Sequence, residues 1–308
     1  MTVTELRRPP RLRPGSRVTV VAPSGPVPAD RLEQGVAILR QWGLQVQVAP
    51  HVHQGHPRWD YLAADDHARA ADLQAAWLDP EVDAILCARG GYGAQRMIDL
   101  LDWGAMAAVA PKVFGGYSDI TALHEAFATQ LGVVTFHCPM PGGEPFLSDA
   151  RSADLLKHML LAPGEALVLT SPGAHAVVSG CADGVTLGGC VSLLADELGS
   201  PTARAGAVGG LLLLEEVDED LYRLDRMFTQ LLRSGWLDQV AGLVLGSWSK
   251  CPDGVHDLVL DRFGSLGVPI VGDLGFGHGA SSITVPLGVR ARLDADAGTL
   301  TLLRPALS

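Results

Sequence analysis

The sequence predicts an α/β protein whose first half is built on a parallel sheet and whose second half is mixed. Three observations predict it: short Val/Ile/Leu-rich runs bounded by Gly and Pro, amphipathic stretches alternating with them in the first half, and a return of apolar runs in the second half that ends in a hairpin pattern. In the first half the strand-like runs are 17–22, 84–88, 113–116 and 133–137, with helical patterns over 30–42, 64–77, 94–101 and 120–130. Strand alternating with helix implies parallel pairing with helices on both faces, a sandwich of flavodoxin or Rossmann-like type over 15–140. The strand pattern lapses over 141–175, where Pro141, Pro145, Pro163 and Pro172 surround one short helical stretch near 154–161, so this segment reads as a linker. Strands return near 210–215, 242–246 and 270–273, and 289–293 with 299–303 flank an acidic, Gly-containing turn. Leu221, Leu224, Phe228 and Leu231 fall at helical spacing within 219–233. The second domain is thus expected over 176–308 as a mixed β/α unit.

Composition narrows the function classes. Of 308 residues 47% are hydrophobic and 19% charged, enough apolar surface for a sizeable core. Lys plus Arg number 23 against 34 Asp plus Glu, a formal charge of −11, which disfavours nucleic acid and anionic membrane partners. No apolar run reaches the ~18 residues of a membrane span. Residues 1–14 carry four arginines among three prolines with no apolar stretch or cleavage signature, so they read as a loose leader of a cytoplasmic protein. Five scattered cysteines, never in CxxC spacing, fit buried thiols better than disulfides or zinc.

Four segments could carry chemistry. Phe114-Gly115-Gly116-Tyr117-Ser118-Asp119 ends a buried strand and enters a helix, so unpaired N–H groups and a positive helix end lie beside Ser118. That is the setting of a nucleophile elbow, although Ile120 replaces the second Gly of G-x-S-x-G. An N-capping role for Ser118 explains the same residues. Arg89-Gly90-Gly91-Tyr92-Gly93 joins another strand to a helix and could let the backbone approach a carboxylate, an oxyanion or a phosphate; it also reads as a tight turn. Glu215 and Glu216 end an apolar strand and face opposite sides, so spacing cannot choose between them. His278 stands among glycines after a further strand, suited to take a proton from a serine hydroxyl if a carboxylate steadies its ring. A competing set, His51, His53 and His56, could hold a transition metal or form a solvated loop. Cys138 and Cys190 have no evident base.

Taken together and in order, Arg89-Gly90-Gly91-Tyr92-Gly93, Gly116-Tyr117-Ser118-Asp119 with Thr121, Leu214-Glu215-Glu216-Val217 followed by Tyr222-Arg223, and Phe276-Gly277-His278 with Thr284-Val285-Pro286-Leu287-Gly288 resemble the LD-carboxypeptidases. The similarity runs from about residue 17 to about residue 293. It implies an active site in the groove between two domains, with Ser118 as nucleophile, Glu215 rather than Glu216 as the acid, and His278 as base. It also implies an oxyanion hole from the backbone N–H groups of Asp119 and a turn glycine, here assigned to Gly91. The implied reaction releases the terminal D-Ala of a murein tetrapeptide without metal or organic cofactor. A leaving D-Ala carries a free carboxylate, so Arg89, with Gly90 and Tyr92 of the same turn, is the expected substrate-binding group. A homodimer is expected by the same analogy. Gly188-Gly189-Cys190-Val191 departs from the family's Gly-Gly-Asn-Leu. Peptidyl-nucleotide cleavage of the microcin C type and non-catalytic binding on the same frame are the alternatives.

Overall fold

A computed structural model of the chain describes residues 2–164 and 167–308. The first part runs β1 (Arg17–Val21), α1 (Ala29–Gln41), β2 (Gln45–Val48), α2 (Asp66–Leu78), β3 (Ala84–Cys87), α3 (Ala94–Ile98), α4 (Trp103–Ala107), β4 (Val113–Gly116), α5 (Thr121–Ala126) and β5 (Thr135–His137). It continues through α6 (Glu144–Ser148), α7 (Ala150–Leu161), β6 (Val168–Leu169), β7 (His175–Val178), β8 (Cys181–Cys190), α8 (Val191–Glu197) and β9 (Gly210–Val217). The remainder is α9 (Leu221–Arg233), β10 (Gly242–Ser249), α10 (Val255–Phe263), β11 (Ile270–Gly272), β12 (Val285–Leu287), β13 (Arg290–Asp294) and β14 (Thr299–Leu302).

Two sheets result. The first has the order β12-β5-β4-β3-β1-β2, with β1 to β5 parallel and β12 antiparallel to β5. The second has the order β6-β14-β13-β8-β9-β10-β11-β7, parallel from β8 to β11 and antiparallel elsewhere. Every residue of β3 and β4 is buried, as expected for parallel strands covered on both faces. The helices form because their apolar residues recur on one side: α1 buries Leu32, Val36 and Leu39, and α9 buries Leu224, Phe228 and Leu231. Asp65 caps α2 by accepting from the Ala68 N–H at 2.9 Å.

The structure differs from the sequence expectations in four places. The helix expected over 120–130 is broken into a 3₁₀ turn (Ser118–Ile120), α5, and a π turn (Phe127–Leu131). The stretch read as a linker contains α6, α7 and β6, and buries Phe146, Leu156 and Leu160. Strand β8 escapes detection because its glycines dilute the apolar signal. They are there for close approach: a Cβ on Gly184 would stand 2.8 Å from the Gly209 carbonyl, and one on Gly188 would run into the Leu213 carbonyl. β12 escapes detection as well and belongs to the same third difference: it leaves the second sheet's part of the chain and pairs with β5 in the first.

The fourth difference is the leader, which is docked and not loose. Val3 donates to the Val208 carbonyl at 2.8 Å, Leu6 to Gly288 at 2.9 Å, Arg7 to Gly132 at 2.8 Å and Leu12 to Leu160 at 2.9 Å. Arg7 bridges Val133 in parallel, and Leu12 is 1% exposed. Composition hides this because the partners are backbone groups, which any residue but proline can offer. Truncating Leu12 to Ala should therefore cost about 2–5 kcal/mol of unfolding free energy, the usual range for a buried leucine. Urea denaturation measures it, and an unchanged midpoint would mean that the segment contributes nothing to the fold.

Candidate active site

The site begins with a sharp turn. β4 ends at Gly116, and Ser118 takes φ 68°, a left-handed conformation costly for any residue with a Cβ. The helix that follows overdetermines it and leaves the hydroxyl projecting from the end of the sheet. The neighbouring turn must be glycine to sit against it, since a Cβ on Gly90 would lie 2.8 Å from the Ser118 Cβ and 3.0 Å from its Oγ. Gly91 has φ 111°, which only glycine adopts without strain.

The partners come from the second sheet. The pleat of β9 sends Glu215 and Glu216 to opposite faces. The Glu215 side chain is fully buried, and its Oε2 accepts from His278 Nδ1 at 2.6 Å. His278 Nε2 faces Ser118 Oγ at 3.0 Å. Glu216 turns the other way and accepts from Cys190 Sγ at 3.0 Å and from the Ser192 N–H at 2.7 Å. Geometry thus distinguishes the two carboxylates that spacing left equivalent. Gly277 makes the contact possible, because a Cβ there would stand 2.5 Å from Glu215 Oε2.

Burial alone would push the Glu215 carboxyl up, but the imidazoles of His278 and His137 facing it outweigh that and hold it at about 2. Burial pulls His278 down, and the Glu215 carboxylate with its hydrogen bond, helped by Glu216, more than offsets it, so His278 titrates above its ordinary value. His137 is fully buried, 3.9 Å from Glu215 Oε1; neither of its ring nitrogens nor that oxygen has a hydrogen-bond partner among the described residues. Tyr117 lies against both rings, with centroids 4.8 Å from His278 and 5.7 Å from His137. Nothing in the local sequence singles out His137. Its place behind Glu215 follows from the register of β5 beside β4, which no local pattern reveals.

The hydroxyl and the imidazole open into a cleft of about 970 Å³ whose walls include Arg31, Arg89, Gly90, Gly91, Met140 and Glu144. The Asp119 N–H belongs to the first turn after Ser118, where helical donors have no partner within the helix. Its carboxyl turns inward instead, accepting from Ser24 Oγ at 2.5 Å and from the Ala94 N–H at 2.8 Å, and so ties the serine turn to the start of α3. Burial pushes that carboxyl up. Arg89 donates to the Pro26 carbonyl at 2.9 Å, and Arg31 pairs with Glu144 at 2.6 Å. Tyr92 is not part of the cleft lining; 48% exposed, it stands edge-on to Tyr61, which stacks on Trp59. His51, His53 and His56 form no ligand cluster among the described residues: His51 binds the Asp72 carboxylate at 2.7 Å, and His56 accepts from the Arg58 and Trp59 N–H groups at 3.0 Å. Cys138 and Cys190 are buried, and burial pushes both thiols up, away from nucleophilic use.

Comparison with known proteins identifies the family. Residues 18–138 match the LD-carboxypeptidase N-terminal domain and residues 183–293 the LD-carboxypeptidase C-terminal domain. A relative from Streptomyces coelicolor is 62% identical over 98% of either chain. The murein tetrapeptide carboxypeptidase of Pseudomonas aeruginosa is 32% identical over 91% of this chain and 94% of its own. Among solved structures, a muramoyltetrapeptide carboxypeptidase from Oxalobacter formigenes superposes with a TM-score of 0.79 at 28% identity, covering 93% of this chain and 98% of its own. An MccF-like protein from Bacillus anthracis reaches 0.85 at 26% identity, covering 96% and 99%. The chain belongs to the LD-carboxypeptidase family, the serine-type carboxypeptidases whose two-part fold it shares.

Proposed function

We propose that the protein hydrolyses the amide bond joining an L-configured centre to the terminal D-Ala of a murein tetrapeptide, with Ser118, His278 and Glu215 as the catalytic groups. The observation that carries this reading is the unbroken relay from Ser118 Oγ through His278 (3.0 Å) to Glu215 (2.6 Å) at the mouth of a cleft that also holds two arginines. The murein tetrapeptide carboxypeptidase relative supports the substrate class, and a role in peptidoglycan recycling is part of the same proposal.

In this mechanism Ser118 Oγ attacks the scissile carbonyl while His278 Nε2 takes its proton. Glu215 stays ionised throughout, orients the ring through Nδ1 and stabilises the imidazolium. The N–H groups of Gly91 and Asp119 receive the oxyanion. His278 then protonates the leaving amine of D-Ala, and water attacks the acyl-enzyme along the same path. Arg89 receives the carboxylate of the departing residue, its guanidinium being one of two cations on the cleft wall.

Mass spectrometry of tripeptide, tetrapeptide and pentapeptide stems should show loss of one D-Ala from the tetrapeptide alone. Ser118→Ala should lower that rate at least ~1,000-fold. Turnover by the variant would remove the serine from the mechanism, and cleavage of an aminoacyl sulfamoyl nucleotide with the tetrapeptide left intact would move the substrate assignment. Because His278 works as a neutral base and its ionisation is raised, kcat/KM should rise with pH through an inflection above the ordinary imidazole value of about 6.5. Glu215→Gln should move that inflection down as well as lower the rate, and a pH–rate profile of both proteins reads the two effects. Arg89→Ala should raise KM for the tetrapeptide about 10- to 100-fold, the worth of one charged hydrogen bond; an unchanged KM in steady-state kinetics would exclude it from carboxylate binding.

A further inference from the structure

The far edge of the eight-stranded sheet carries a second group of polar side chains that the reaction does not use. His175 opens β7, Asp273 follows β11 and His256 lies in the first turn of α10; one ligand atom from each comes within 4.8 Å of the others. The register of the edge pair sets two of them side by side, since β7 and β11 are antiparallel with His175 opposite Gly272. None of the three lines the catalytic cleft; His256 and Asp273 line a separate shallow cavity of about 340 Å³.

The spacings inside the group are those of ligands and not of hydrogen bonds. His256 Nε2 lies 3.4 Å from Asp273 Oδ1, and His175 Nδ1 lies 3.7 Å from Asp273 Oδ2 while donating to the Gly173 carbonyl at 3.0 Å, which leaves His175 Nε2 as the ring nitrogen open to a metal. Bonds of about 2.1 Å to a tetrahedral zinc put neighbouring ligand atoms about 3.4 Å apart, which is the His256–Asp273 separation. His256 Nε2 is buried and has no hydrogen-bond partner among the described residues. Asp273 takes φ 52°, an uncommon conformation for a residue with a Cβ, and this holds its carboxylate between the two rings.

We propose that His175, His256 and Asp273 form a binding site for a divalent transition metal such as Zn²⁺, with water completing the coordination. Two imidazoles and one carboxylate favour zinc and its neighbours over Mg²⁺ and Ca²⁺, which prefer all-oxygen sets. The metal would tie the edge strand β7 and the helix α10 to the end of β11, where the loop leading to His278 begins. It takes no part in the hydrolysis.

The test uses the full chain stripped with chelator and then titrated calorimetrically with Zn²⁺ alone and, separately, with Mg²⁺ alone. One equivalent of Zn²⁺ should bind and raise the Tm, Mg²⁺ should not compete, and His278→Ala should bind as tightly as the parent. His256→Gln and Asp273→Asn should each weaken Zn²⁺ binding by at least ~100-fold. His175→Gln, a change at a ring already 48% exposed, should weaken it too and guards against a misfolded variant being read as a lost ligand. Failure of the parent to bind one equivalent overturns the proposal. So does stoichiometric binding that survives the His175→Gln/His256→Gln double substitution, or that disappears in His278→Ala.

Discussion

The structure depends on one buried charge. Glu215 places an ionised carboxylate entirely out of water, which costs several kcal/mol unless partners of opposite or dipolar character surround it. Here the partners are His278 at 2.6 Å and His137 at 3.9 Å, roofed by Tyr117 and Phe276. The environment that makes the charge expensive also makes it effective, because an imidazolium forming at His278 is stabilised with little solvent screening. Gly277 belongs to the same arrangement, for a side chain there would displace the carboxylate from the ring.

The serine side meets a parallel constraint. A left-handed Ser118 is tolerated because the strand before it, the helix after it and the glycine turn opposite leave it no other place. Asp119 links the two turns by accepting from Ser24 and from the start of α3, so the surfaces flanking the hydroxyl move as one. The two sheets meet close by, where the Cys190 N–H donates to Thr121 Oγ1 at 3.1 Å and Gly189 leaves room for that threonine. Cys190 lies opposite Glu215 in the β8–β9 register, so this contact links the position of Glu215 to the helix that follows Ser118.

Much of this was readable from residue order. The apolar runs of β1, β3 and β4 are continuous because both faces are covered, and such runs announce themselves. The serine turn and the glycine-flanked histidine were visible as strand-end chemistry, and the hairpin of β13 and β14 by its turn. What could not be read was anything decided by distant backbone: the docking of residues 3–12, the glycine-rich β8, the return of β12 to the first sheet, and His137 behind Glu215. The choice between Glu215 and Glu216 came from the family resemblance and not from local pattern, since the pleat guarantees that they diverge but not which one faces the histidine.

The antiparallel seam between Val285–Leu287 and Thr135–His137 has a consequence for the order in which the enzyme comes into being. During synthesis Ser118 emerges long before His278, and the sheet that carries it lacks its last strand until residues 285–287 have been made. A chain made only as far as β5 therefore holds Ser118 without the imidazole that faces it. The seam thus fastens residues from late in the chain to the sheet that carries Ser118.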